Sequence, residues 1–261
     1  MNPASRRNAI LREMGLAPLW RLRMPAESSA AAAEGEVAAE MVAASVPVAV
    51  SEEIAASAPA FAANAQPVSP VATMGWQELE DAIRACRACG LCERRTQAVP
   101  GVGDRQARWM FVGEGPGAEE DRRGEPFVGQ AGQLLDRMLA ALGLERGKDV
   151  YIANAVKCRP PHNRTPEAAE TAACAPFLDR QIALVRPRLL IALGRPAAQV
   201  LLGREISIAA ARGKRFERDG VAVIVTYHPA YLLRNPQDKD KAWEDLCFAR
   251  RLVAEGEREA G

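Results

Sequence analysis

The sequence predicts an α/β protein in which four parallel strands form one sheet and helices cover both of its faces. Two observations carry that expectation. Four short apolar, β-branched-rich runs at 109–112, 150–153, 189–193 and 221–227 alternate with helix-like stretches at 76–88, 130–142, 166–184, 195–202 and 238–254. Strands that alternate with helices build parallel sheets. Each run is also followed at once by a distinctive motif: GEGPG at 113–117, NAVKCRPPHNR at 154–164, GR at 194–195 and HPAYLLRNP at 228–236. Open α/β sheets bind ligands outside the carboxyl ends of their strands, so four motifs at that edge point to one shared site.

Individual elements carry their own signals. The stretch 130–142 is stopped by Gly143, a residue suited to the left-handed end of a helix. The stretch 166–184 is expected to open on Thr165 as N-cap with Pro166 in the first helical position. Upstream of 74 the composition changes. Residues 1–23 read as a basic amphipathic segment, helical up to about Met14 and broken by Gly15 and Pro18. Residues 24–73, built mainly from Ala, Glu, Pro, Val and Ser, bury too little surface to offset chain entropy and are expected to form a disordered linker. The folded domain is expected over 74–261. Trp20 beside its arginines makes the first segment a candidate docking peptide for a repair or replication protein; a tail with no partner is the equal alternative.

Net charge is +1, with −2 in residues 1–73 and +3 in the rest, so any nucleic-acid contact has to come from a local basic patch. No apolar run is long enough to cross a membrane and the first residues lack a signal-peptide core. A cytoplasmic, monomeric protein is expected, and its six cysteines are then metal ligands or core thiols rather than disulfides.

The cysteines fall in two clusters. Cys86, Cys89 and Cys92 form C-x2-C-x2-C before the first strand, and Cys158 and Cys174 bracket the connection after the second. Four thiolates from two clusters can enclose an iron–sulfur cluster or a tetrahedral zinc; the absence of a second C-x2-C counts against a zinc ribbon. Cys247 reads as a core residue. Glycines 113, 115 and 117 allow close backbone approach to a ligand, yet the spacing fits neither a dinucleotide-binding turn nor a phosphate loop. Glu114 lies between two of them at the sheet edge, while Glu119 reads as solvated. Asn154 offers the donor and acceptor pair that reads a pyrimidine edge, and His228 stands at the same edge. Basic residues at 212–215, with Arg159, Arg164 and Arg234, are candidates for phosphate contacts.

These motifs, GEGPG-x3-D-x2-G-x-PFVG-x-AG-x-LL, N-x-V-K-C-R-PP-x-NR-x-P, RGK and HPAYLLRNP, resemble those of the family 4, iron–sulfur uracil-DNA glycosylases over about 75–253. The resemblance implies a three-layer α/β/α fold around a four-stranded parallel sheet, and excision of uracil from single- or double-stranded DNA in base excision repair. It implies a [4Fe–4S] cluster on Cys86, Cys89, Cys158 and Cys174, with Cys92 competing with Cys86 for one position. By the same resemblance Phe127 stacks on uracil, Asn154 reads its Watson–Crick edge, and Gly115, Glu120 and Asn163 complete the pocket. Glu114 orients water or stabilises the sugar cation, and His228 stabilises the departing base. Tyr231, Leu232 and Leu233 form an apolar wedge for the gap in the base stack, with Arg234 and Lys214 on phosphates. A related branch traps uracil covalently through a histidine in a basic insertion; that insertion is missing here, so His162 is read as a loop residue. Two alternatives stay open: an iron–sulfur protein that binds uracil-containing or damaged DNA without cutting it, and an enzyme acting on free nucleotides.

Overall fold

A computed structural model describes residues 70–259. The expectations for the basic amphipathic segment and for nearly all of the linker lie outside the described residues. Pro70–Thr73, at the end of the expected linker, form a 3-10 turn, and Val71 packs against the core.

Helix α1 (Trp76–Ala85) leads through a 3-10 turn at Gly90–Glu93 to the two-residue strand β1 (Val102–Gly103). Next come β2 (Trp109–Gly113), α2 (Ala118–Arg123), α3 (Gln130–Leu142), β3 (Val150–Asn154), α4 (Ala168–Val185) and β4 (Leu189–Leu193). Helices α5 (Arg195–Leu202) and α6 (Ile208–Ala211) precede β5 (Arg215–Arg218) and β6 (Val221–Thr226), and α7 (Pro229–Arg234) and α8 (Lys239–Glu259) follow. The four expected strands are all present and parallel, in the order β3-β2-β4-β6. The sheet nevertheless has six strands, because β1 and β5 add antiparallel edges. Neither edge has a run of apolar residues: β1 is the dipeptide Val-Gly and β5 reads RFER.

Each central strand is buried on both faces, so alternate side chains serve opposite layers. Phe111, Ile152, Ile191 and Ile224 face α3 and α8, where they meet Leu135, Met138, Leu139 and Leu246. Met110, Val112, Leu190, Val223 and Val225 face α4 and α5, where they meet Leu178, Ile182, Ala197 and Leu201. A third cluster joins α1 to α4 through Leu79, Ile83, Phe177, Cys158 and Cys174. This is the expected three-layer α/β/α arrangement. The chain passes from β2 outward to β3, then back across β2 to β4. That reversal is the topological switch point, where the carboxyl ends of the strands open a crevice.

Two local expectations change. Helix α4 starts at Ala168 with Glu167 as N-cap, not at Pro166 with Thr165. The Glu170 carboxylate accepts the Glu167 N–H at 2.8 Å, and the Thr165 hydroxyl is engaged with Glu114 instead. Helix α1 ends at Ala85 because Cys86 turns to an extended conformation, with ψ at 135°.

Packing is tight where α3 begins. A Cβ on Gly132 would stand 1.7 Å from the carbonyl oxygen of Phe127 and 2.9 Å from its Cα, so no side chain fits there. Gly132→Ala should therefore cost roughly 2–3 kcal/mol of stability, as overpacking against rigid backbone does. Urea denaturation of the variant checks this; an unchanged midpoint would show that the loop before α3 yields freely.

Candidate active site

The carboxyl ends of the parallel strands surround a cleft of about 750 Å³. Its walls hold Glu114 and Gly115 from the turn after β2, Asn154 from the end of β3, Arg195 from the start of α5, and His228 from the turn after β6. Phe127, Glu120, Asn163, Tyr231 and Arg234 complete the lining among residues expected from the sequence.

Glu120 is the brace of this wall. One carboxylate oxygen accepts the Val128 and Gly129 N–H groups at 3.0 and 3.1 Å, and the other accepts the Gly117 N–H at 3.1 Å. It thus ties the glycine turn to the PFVG loop. Phe127 is held there in the left-handed region, with φ at 54°. The Arg146 guanidinium donates to its carbonyl at 2.8 Å and to that of Pro126 at 2.9 Å. The Phe127 ring is stacked on the His228 ring, with centroids 5.5 Å apart. Behind them Gly113 leaves the space they need: a Cβ there would lie 2.4 Å from Asn154 Oδ1 and 2.6 Å from Phe127 Cζ.

Asn154 is 2% exposed. Its Oδ1 is the one buried side-chain oxygen or nitrogen among the described residues with no hydrogen-bond partner. An acceptor buried without a donor costs about 1–3 kcal/mol, and each such group in a folded protein calls for an explanation. Here the explanation lies in the cleft that the residue lines.

His228 caps α7: its Nδ1 accepts the Ala230 N–H at 3.1 Å. The ring proton therefore sits on Nε2, the nitrogen left free to donate. Burial, reinforced by the Arg234 charge and opposed by Glu120, lowers its pKa to about 4, so the imidazole is neutral at pH 7. Burial raises the Glu114 carboxyl, while the Thr165 hydroxyl and the Arg195 charge pull it back down. Asn163 accepts the Arg159 Nε–H at 2.8 Å in a loop where His162 and Asn163 both adopt positive φ.

The expected wedge needs correction. The segment after β6 is a helical turn, so successive side chains do not share a face. Leu232 is 1% exposed and belongs to the core; it cannot enter DNA. Leu233 is 42% exposed and is the one large exposed hydrophobic among the described residues. Tyr231 stacks on Tyr227 at 4.9 Å and donates its hydroxyl to Asp238 at 2.7 Å, so it is a fixed wall. Lys214 is exposed and stands outside the cleft lining. Its neighbour Arg212, expected on a phosphate, points inward: it donates to the buried Asp245 at 2.8 Å and lies over the Tyr227 ring. Thr226 donates to the same carboxylate at 2.8 Å. The RGK motif thus props the cleft wall from behind.

Cys86, Cys89, Cys92, Cys158 and Cys174 all line a second, small cavity between α1 and α4. Arg95 donates to the Cys158 sulfur at 2.8 Å and the Lys157 N–H to the Cys174 sulfur at 3.3 Å. Burial raises the Cys158 thiol and pushes Cys174 up to about 11. Among the described residues, no three His, Cys, Asp or Glu side chains converge closely enough to hold a single metal ion.

Sequence reasoning missed Thr165, Arg195 and Tyr227 as site residues, and it expected Arg164 on a phosphate; all four line the cleft. Arg195 was visible in the GR pair after β4, and Tyr227 sits immediately before His228. Arg164 makes a two-pronged pair with Glu170, at 2.8 and 2.6 Å, which no spacing announces.

Comparison with known proteins follows these contours. Residues 100–247 match the model of the uracil DNA glycosylase superfamily. A type-4 uracil-DNA glycosylase of Thermotoga maritima is 48% identical over 179 residues, covering 67% of this chain and 93% of that protein. One from Archaeoglobus fulgidus is 44% identical over 181 residues, covering 65% and 90%. Another from Sulfurisphaera tokodaii is 42% identical over 186 residues, covering 68% and 84%. With the family model matched over residues 100–247 and relatives this similar over about two thirds of its length, the chain belongs to the uracil DNA glycosylase superfamily, among its type-4 members.

Proposed function

We propose that the chain hydrolyses the N-glycosidic bond of uracil in DNA, leaving an abasic site for base excision repair. The observation that carries this reading is the unpartnered Oδ1 of Asn154. Uracil presents an N3–H donor and an O4 acceptor on its Watson–Crick edge, matching the carboxamide of Asn154. Cytosine presents an acceptor at N3, which would face the Asn154 oxygen and leave it unsatisfied.

The base has to leave the stack to reach this pocket, at a cost of a few kcal/mol. Leu233, the exposed apolar side chain on α7, fills the gap, and Arg234 beside it holds a phosphate. Phe127 stacks on the extruded uracil, Gly115 gives it room against the glycine turn, and Glu120 and Asn163 close the pocket. As the bond breaks, negative charge grows on the uracil and positive charge on the sugar. The neutral His228 donates from Nε2 to the uracil oxygen, a preorganised donor aimed at developing charge. Glu114 holds the attacking water. With Arg195 already offsetting its charge, it suits that role better than balancing the sugar cation.

The second cavity fits a [4Fe–4S] cluster on Cys86, Cys89, Cys158 and Cys174. The donor set is thiol-only, and N–H groups aim at two of the sulfurs. When bound, a cluster supplies a cross-link between the segment after α1 and the loop that carries Asn163.

Three outcomes are expected. Oligonucleotides carrying U, T or C, treated with protein and then alkali, should break at U alone, and His228→Ala should slow single-turnover cleavage about 10²–10³-fold. Tight uracil binding without breakage would instead establish a protein that recognises and does not cut. In the pH profile, His228 stays neutral down to about 4, so an acid limb above that belongs to Glu114, whose raised carboxyl must be ionised to hold water. That limb should survive His228→Gln and vanish in Glu114→Gln; a limb near 6.5 lost with His228 would reverse the assignment. Finally, Cys174→Ala should lose the iron and the visible absorbance of the purified protein, while Cys92→Ala keeps both.

A further inference from the structure

Immediately behind Asn154 lies a charged side chain that the reaction does not use. Lys157 is 1% exposed and takes part in none of the ion pairs among the described residues. Burying an ammonium without a carboxylate is costly, so its hydrogen bonds have to justify its place. It makes two from its side chain: to the backbone carbonyl of Asn154 at 2.7 Å and to Gln181 Oε1 at 2.6 Å. Gln181, itself 0% exposed, is locked in turn by donating to the Pro100 carbonyl at 2.7 Å and to the Tyr151 hydroxyl at 3.2 Å.

The Asn154 carboxamide has to stay in one orientation to be selective, because turned over it would match cytosine instead. In front, Gly113 and Phe127 confine it. At the back, the Ala155 and Val156 N–H groups donate to the Gly113 and Glu114 carbonyls at 2.9 and 3.1 Å, and the carbonyl of Asn154 itself is held by the Lys157 ammonium. We propose that Lys157, oriented by Gln181, is a positioning residue that fixes the Asn154 backbone and thereby the choice of uracil over cytosine. The proposal rests on the reading of Asn154 as the residue that recognises uracil.

The test measures affinity for an oligonucleotide with a single 2′-fluorinated deoxyuridine, which resists cleavage, and for the same oligonucleotide with cytosine in that place. The ratio of the two affinities reads base recognition apart from general DNA binding. Lys157→Met should lower the ratio about tenfold, the size expected when a buried hydrogen bond is lost, with affinity for the cytosine oligonucleotide and iron content unchanged. An unchanged ratio, or an equal loss on both oligonucleotides, overturns the proposal. If Lys157→Met fails to fold or loses its iron, Gln181→Met decides, since the hydrogen bonds of Gln181 go to Lys157, Pro100 and Tyr151 and not to a cysteine. It should lower the ratio about threefold, a partial loss of the same bond network, and an unchanged ratio again overturns the proposal. Asn154→Ala keeps the two readings apart. If it leaves the wild-type preference intact, the recognition role of Asn154 is wrong; if it abolishes the preference while Lys157→Met does not, only the positioning role is.

Discussion

The cleft depends on a space in which nothing stands. At Gly113 strand β2 ends, and the volume a Cβ would occupy is shared between the Asn154 oxygen and the Phe127 ring. An alanine there would push either the base-reading amide or the stacking ring out of register, and the ring is held too firmly to give way. Phe127 is pinned through its carbonyl by Arg146 and through the next two residues by Glu120. The glycines of GEGPG are therefore less a phosphate-binding device than a way of bringing two walls of a flat pocket into contact.

Much of the fold could be read from the sequence because the four parallel strands are buried on both faces, and such strands appear as unbroken apolar runs. The edge strands could not, since Val102–Gly103 and Arg215–Arg218 earn their pairing from the neighbouring strand rather than from their own composition. Thr165 shows a second limit. Its place before Pro166 fits a helix cap, but the competing partner, Glu114, lies far away in the chain and only folding brings them together. Leu232 shows a third. Read as a loop, HPAYLLR offers both leucines to solvent; wound as a helical turn, it buries one and presents the other.

The basic residues divide along similar lines. Arg212 and Arg164 each satisfy a buried carboxylate, so each serves to hold the cleft's shape. Arg195 and Arg234 line the same cleft and face its electrostatics directly, the first through Glu114 and the second through His228. Sequence spacing cannot separate the two kinds, because the partners of the structural pairs lie on other elements. A near-neutral protein can thus meet a polyanion with a few guanidinium groups, provided the others are occupied within the fold.

The cap formed by His228 carries a chemical consequence. Its Nδ1 lone pair is committed to the Ala230 N–H, so the ring has no second site through which to take up a proton while giving one away. It can lend a hydrogen bond to the leaving base but cannot act as a relay between that base and solvent. The excised uracil then has to collect its proton from water after the bond has broken, which separates the step that cleaves the sugar from the step that neutralises the product.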